Sequence, residues 1–380
     1  MSGFRFVVAL LVAVAASRPA AADAPCAAPQ PVCDAAASVF AIASFDPLAS
    51  AVLIEPGLLV TNRHAVADNA RAEVMLPNGK KLVATVVPSA YAGDLILLRA
   101  PEIAAKSRLT TAVAGPDSIL YTIGADVGRQ AVRVYKPGQM LLRSAEGKPL
   151  ARVHHDAYGQ PGNSGGALVD EIGRLVGVVA SGGSGRHEAI PSWAIADLRA
   201  QSGPEHLGAS QQIGIAYRKC SEALDAAQAT RERLGPSHVA FINEQCGRSG
   251  NRQLWDLAGQ VFGRQRLFDD SLAMFRRALD QDPNAINSML SLAITLHLGG
   301  RYADEVPHLK RLVEILPADA EVLRLGVQAG AWGGDKALME KSLTLLAQHH
   351  PKMVPLARDF IEKNPTPPAR RLPGNAPPGR

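Results

Sequence analysis

Charge is scarce in this sequence: Asp, Glu, Lys and Arg make up 20% of its 380 residues, and aromatic residues only 5%. The formal net charge is +5, and Arg5 and Arg18 stand in the first 22 residues with no acid beside them, so 5 − 2 leaves +3 for the rest. A surplus that small and scattered excludes a nucleic-acid-binding face. Cysteine is sparse, with four in the chain, which excludes a disulfide miniprotein. No apolar run exceeds what a leader or a core element requires, so no stable membrane insertion is expected. Gly and Pro number 34 and 27 without a collagen period, and 47% hydrophobic residues exclude a disordered chain. What remains is globular material for two or three domains, at about 150 residues each.

Residues 1–22 read as a secretory signal peptide. Arg5 supplies the positive end, residues 6–16 are an unbroken apolar run, and Ala20-Ala21-Ala22 offers a small-residue cleavage site before Asp23. The run gives about 16 Å of helix, short of a bilayer core of roughly 30 Å. An uncleaved anchor is the alternative. The four cysteines suit an oxidising compartment, with a Gram-negative periplasm favoured and secretion also open. Four cysteines allow three pairings, and the local ones, Cys26 with Cys33 and Cys220 with Cys246, close the shortest loops. Neither pair has metal-ligand spacing with histidines, and no cofactor or metal is expected.

The patterning changes near residue 200. Short β-type runs fall at 50–54, 57–61, 73–76, 82–87, 95–99, 119–123 and 174–180, and Pro77-Asn78-Gly79 between two of them is a hairpin signal. From 209 to 363 the period is helical, residues 201–210 form the junction, and 364–380, with six Pro, read as a disordered tail. Pro283, Pro317 and Pro351 recur every 34 residues. The unit Trp255-x-x-Ala258-Gly259-x-x-Phe262, then Phe275, Ala278 and Pro283, resembles the tetratricopeptide repeat. Gly259 and Ala278 would let two helices approach while the aromatics fill the space between them. The next units are degenerate, so a non-repetitive bundle is the alternative. Residues 212–247 would cap the stack as an atypical helix pair.

The strongest signal is Gly162-Asn163-Ser164-Gly165-Gly166, followed by Ala167-Leu168-Val169 and the run from Gly173 to Val179. Upstream stand Val60-Thr61-Asn62-Arg63-His64-Ala65-Val66 and Gly93-Asp94-Leu95-Ile96-Leu97-Leu98. A serine hydroxyl is a weak nucleophile that needs a base during attack on a carbonyl. His64 suits that task, because an imidazole titrates near neutrality, and Asp94 would hold its tautomer and stabilise the imidazolium. Glycines around Ser164 permit a sharp turn that brings the N–H groups of Gly162 and Ser164, with Asn163 between them, onto a developing oxyanion. One such donor is commonly worth about 3 kcal/mol.

In the order His, Asp, Ser these blocks resemble the trypsin-like serine proteases, and among them the bacterial Deg/HtrA branch. Asp156-Ala157 matches that branch as well. The resemblance covers about residues 38–198 and implies an all-β chymotrypsin-like double β-barrel in residues 23–203, followed by an all-α repeat domain. The residue before the nucleophile is Asn163, where zymogen-type trypsins carry an Asp that pairs with a new N-terminus, so no proteolytic activation is expected. Where the branch usually carries PDZ domains, this sequence carries the expected helical repeats, so the branch's peptide-controlled activation and cage-like oligomers do not carry over. By the family pattern Tyr158 lies at the base of the S1 pocket, and Ala180-Ser181-Gly182 forms the strand beside the substrate. With no carboxylate at that base, small or medium apolar side chains are the expected preference.

Three other clusters are given ordinary roles. Asp68 reads as a solvated turn residue, His154-His155-Asp156 as strand side chains on opposite faces, and residues 181–185 as a loop after the strand at 176–180. The leading reading is an exported serine endopeptidase acting on protein or peptide substrates, with a protein partner for the repeat domain. A scaffold with a silent barrel domain, or an esterase using the same triad, are the alternatives.

Overall fold

The structure, a computed structural model, describes residues 26–104, 109–128, 131–230 and 232–367. The expected signal peptide and residues 368–380 of the expected tail lie outside the described residues. The chain opens with the short helix α1 (Gln30–Ala35), tied back by a Cys26–Cys33 disulfide.

Six antiparallel strands then close into a barrel: β1 (Val39–Ala43), β2 (Ala49–Glu55), β3 (Leu58–Thr61), β4 (Arg71–Met75), β5 (Lys81–Val87) and β6 (Ile96–Arg99), in the order β1-β2-β3-β6-β5-β4 with β4 returning to β1. The Pro77-Asn78-Gly79 turn joins β4 to β5, and Gly79 takes the positive φ of 79° that this turn requires. Helix α2 (Arg63–Val66) interrupts the barrel after β3. The second set is β7 (Ile119–Ala125), β8 (Val132–Val134), β9 (Gly138–Leu142), β10 (Val153–His155), β11 (Ala167–Asp170), β12 (Leu175–Gly183) and β13 (Arg186–Pro191). Because β7 pairs with both β9 and β11, six of these strands also form a closed ring, with β8 on the remaining half of one β7 edge.

Each barrel has its own apolar interior, around Leu53, Leu59 and Leu98 in the first and Leu120, Leu168 and Val176 in the second. A third cluster, including Val52, Leu97, Ile123 and Val178, is built from both barrels and joins them. The double-barrel expectation therefore holds. Residues 181–183, expected in a loop, instead extend β12, and only Ser184 and Gly185 turn the chain into β13.

After α3 (Ala194–Ala200) the junction is short. Gly203 N–H donates to the Pro88 carbonyl, and α4 (Leu207–Ala229) begins inside the stretch expected to be linker. α5 (Pro236–Ser249) pairs with α4, and a Cys220–Cys246 disulfide joins them. Three helical hairpins follow: α6 (Arg252–Arg264) with α7 (Phe268–Gln281), α8 (Ile286–Leu298) with α9 (Tyr302–Ile315), and α10 (Ala320–Trp332) with α11 (Lys336–His349). Arg252, Ile286 and Ala320 open the first helices and Phe268, Tyr302 and Lys336 the second, so both series step by 34 residues. Pro283, Pro317 and Pro351 each stand two residues past a second helix, where a ring without N–H can no longer continue the ladder. α12 (Val354–Lys363) ends the described helices.

Gly259 allows the first hairpin to close: a Cβ there would lie 2.6 Å from the ring of Phe275, which is fully buried. Gly259→Ala is expected to lower stability by about 1–3 kcal/mol through overpacking, measured as a shift of the urea midpoint; an unchanged midpoint would contradict this packing.

Candidate active site

Strand register brings two distant segments together. β3 and β6 pair antiparallel with Thr61 opposite Ile96, so residues just after β3 and just before β6 meet at one end of the first barrel. His64 sits there on α2 and Asp94 in the loop before β6, both buried. Asp94 uses both carboxylate oxygens on the same residue: Oδ2 lies 2.7 Å from His64 Nδ1, and Oδ1 accepts the His64 backbone N–H at 3.0 Å. The Asp94 carbonyl in turn accepts the side-chain amide of Asn62 at 3.0 Å and the backbone N–H of Arg63. Asn62 and Arg63 thus pin the loop that carries the acid.

Charge follows from this burial. For His64, desolvation disfavours the cation, but the neighbouring Asp94 and Asp46 carboxylates outweigh it and raise the imidazole above its ordinary value. Burial would raise Asp94, yet the His64 charge and hydrogen bond, with Arg152 nearby, hold it below the usual carboxylate range. Asp46 Oδ2 lies 3.8 Å from His64 Nε2.

Ser164 comes from the second barrel, just before β11. The peptide N–H of Ser50 on β2 donates to the Ser164 carbonyl at 2.7 Å. The Ser50 hydroxyl donates to the Gly162 carbonyl at 2.7 Å and accepts the Ala125 N–H at 2.8 Å. Gly162 and Gly165 take φ of 94° and 82°, and a side chain on Gly165 would collide with the Ser50 carbonyl and the Thr61 hydroxyl. Asn163 is buried: its amide donates to the Ala125 carbonyl at 2.9 Å, and its side-chain oxygen accepts the Gln160 N–H. The Asn163 backbone N–H is used within the loop, on the Gln160 carbonyl. Among the described residues the N–H groups of Gly162 and Ser164 donate to no protein atom. The Ser164 hydroxyl donates to the Ala180 carbonyl at 3.2 Å, not to His64.

The remaining expected residues divide. Ala180 is buried on β12 beside Ser164, and the Ser181 hydroxyl is held by Arg152 and Glu188 at 3.0 Å each. Gly182, at φ 143°, packs against His187, which also abuts Gly159. Tyr158 is 49% exposed and stacks on Tyr135 with ring centroids 5.7 Å apart. His154 and His155 do point apart: the first meets Asp282 at 3.0 Å, the second stacks on His187. Burial among neighbouring imidazoles pushes His155 down to about 3. Asp68, expected to be a solvated turn residue, is instead paired with Arg218 of α4 at 2.6 Å.

Sequence reasoning missed Ser50, Asp46 and Arg152, none of which belongs to a motif, and it missed every contribution of the helices. Tyr217 of α4 lies nearly parallel to the His64 ring, centroids 6.4 Å apart, and Gln253 of α6 donates to the Ala180 carbonyl at 2.7 Å. Behind them Glu188 of β13 joins Arg152 to Arg252 of α6 in a buried ion cluster.

Residues 49–178 match the family described as the trypsin-like peptidase domain. The Do-like HtrA serine protease of Lactobacillus helveticus is 30% identical over 32% of this chain and 32% of its own length. A probable periplasmic DegP-like serine endoprotease of Chlamydia pneumoniae is 27% identical over 60% of this chain and 48% of its own. The chain thus spans about a third to a half of these curated relatives. A solved serine endoprotease from Yersinia pestis aligns at 24% identity and a TM-score of 0.37, over 45% of this chain and 64% of that one.

Ser50→Ala would leave the Gly162 carbonyl and the Ala125 N–H without their partner. The expected cost is about 1–3 kcal/mol for each buried group left unpaired, read by denaturant unfolding; a variant as stable as the parent would show that Ser50 does not hold the serine loop.

Proposed function

We propose that this chain, whose residues 49–178 match the trypsin-like peptidase domain family, is an exported serine endopeptidase. The observation that carries the proposal is the two-oxygen grip of Asp94 on His64, set against a serine loop with two unused N–H donors. In this reading Ser164 rotates about its Cα–Cβ bond from the Ala180 carbonyl toward His64 Nε2. His64 takes the hydroxyl proton as Oγ attacks the scissile carbonyl, and Asp94 stabilises the imidazolium. The oxyanion turns to the N–H groups of Gly162 and Ser164. Collapse of the tetrahedral intermediate passes the proton from His64 to the leaving amine and leaves an acyl-enzyme, which water hydrolyses by the same route in reverse.

Asn163 supports a site that needs no proteolytic activation: it is an uncharged residue whose amide is already spent inside the loop. Tyr158, half exposed and stacked on Tyr135, puts no carboxylate at that position, in keeping with a preference for small or medium apolar side chains. Export rests on the leader-like residues 1–22 and on two disulfides. The 34-residue step of α6–α11 supports a tetratricopeptide-like, protein-binding role for residues 209–363.

Treatment with an active-site serine probe and an unfolded protein substrate is expected to give labelling and cleavage, both lost in Ser164→Ala. Neither in the parent would favour a scaffold, and ester turnover without peptide cleavage would favour an esterase. His64→Ala is expected to lower kcat on the order of 10⁴–10⁶-fold. The protonated imidazole cannot act as base, and its pKa is raised. The acidic limb of kcat/KM is therefore expected above the ordinary imidazole value of 6.5; a pH–rate profile with that limb at or below 6.5 would contradict the assignment.

A further inference from the structure

The Ala180 carbonyl lies against the reacting hydroxyl, on the strand that would run beside a bound peptide, and both of its acceptor sites are taken. A carbonyl oxygen offers two lone pairs. Here Ser164 Oγ approaches at 3.2 Å and Gln253 Nε2 at 2.7 Å. The second donor is a primary amide, chemically the side-chain counterpart of a peptide N–H, and it comes from a different domain. Any extended peptide laid along this edge of β12 needs an acceptor for its own N–H, and the acceptor nearest the nucleophile is the one Gln253 holds.

From this geometry we infer that Gln253 is a built-in competitor for the substrate backbone: the helical module occupies the cleft of the peptidase domain with a peptide-like amide that substrate must displace. The inference rests on the protease reading above and assigns to α6 a role within that site. The two parts of Gln253 differ in freedom. Its backbone is fixed, because the preceding residue, Arg252, is 1% exposed and bound to Glu188 of β13 and Ser288 of α8. The side chain of Gln253 is only part-buried, and the bond to Ala180 is its hydrogen bond among the described residues. The amide can therefore swing away without the module moving. Tyr217 of α4 stacks on His64 from the same helical module, with ring centroids 6.4 Å apart.

A competitor that leaves before chemistry weakens ground state and transition state equally, so its removal alters KM and not kcat. With a fluorogenic peptide substrate, Gln253→Ala is expected to lower KM by about two- to tenfold, the effect of one ordinary hydrogen bond, at unchanged kcat. Gln253→Glu keeps the size of the side chain but presents an acceptor to an acceptor, and it is expected to shift KM in the same direction. Labelling by a fluorophosphonate probe is measured on all three proteins. If all are labelled and KM is equal or higher in the variants, or kcat falls, the competitor role is overturned and the protease reading stands. If none is labelled, the protease reading itself fails and takes the inference with it.

Discussion

A carboxylate held out of water organises this molecule. Asp94 loses hydration on entering the barrel junction, and its stability there depends on the two donors of His64 and on the field of Arg152. That requirement fixes the order of everything around it. β3 and β6 must pair in the observed register for the two residues to meet, Asn62 must hold the loop from below, and Arg152 must reach across from the second barrel. The Asp94–His64 geometry is in this sense a by-product of solving a burial problem. The two barrels share one apolar cluster and one electrostatic one.

The serine side is organised by backbone rather than charge. Ser50 donates two hydrogen bonds from the first barrel to the serine loop of the second and accepts a third from Ala125 of β7, while Asn163 ties the same loop to β7. Gly162 and Gly165 are required because their φ values and close neighbours leave no room for a side chain. Among the described residues the N–H groups of Gly162 and Ser164 donate to no protein atom, which leaves them free for the oxyanion role proposed above.

Much of this was readable from the chain. The three motif blocks carry residue types that few other settings require together, and the 34-residue spacing of prolines matches helix boundaries to the residue. What the sequence did not disclose has a common physical cause: it depends on contacts between segments with no local signature. Ser50 lies in an ordinary strand, and Asp68 looks like any turn aspartate until Arg218 is brought to it from 150 residues away. The glycine-rich 181–185 stretch suggested a loop because local composition cannot see β13 pairing with it. Tyr217 and Gln253 sit within helical periodicity, where nothing distinguishes a residue that faces another domain from one that faces solvent.

The cluster around Glu188 has a bearing on how such a protein could arise and change. Arg252 and Asp282 of the helices complete a charge balance begun by Arg152, His154 and Glu188 of the barrel, all of them buried. Removing one member of such a set leaves an ion stranded in a medium that does not solvate it, at a cost of about 3–5 kcal/mol. The two halves are therefore not interchangeable cassettes. Grafting this barrel onto a foreign partner would require new counter-ions at the seam.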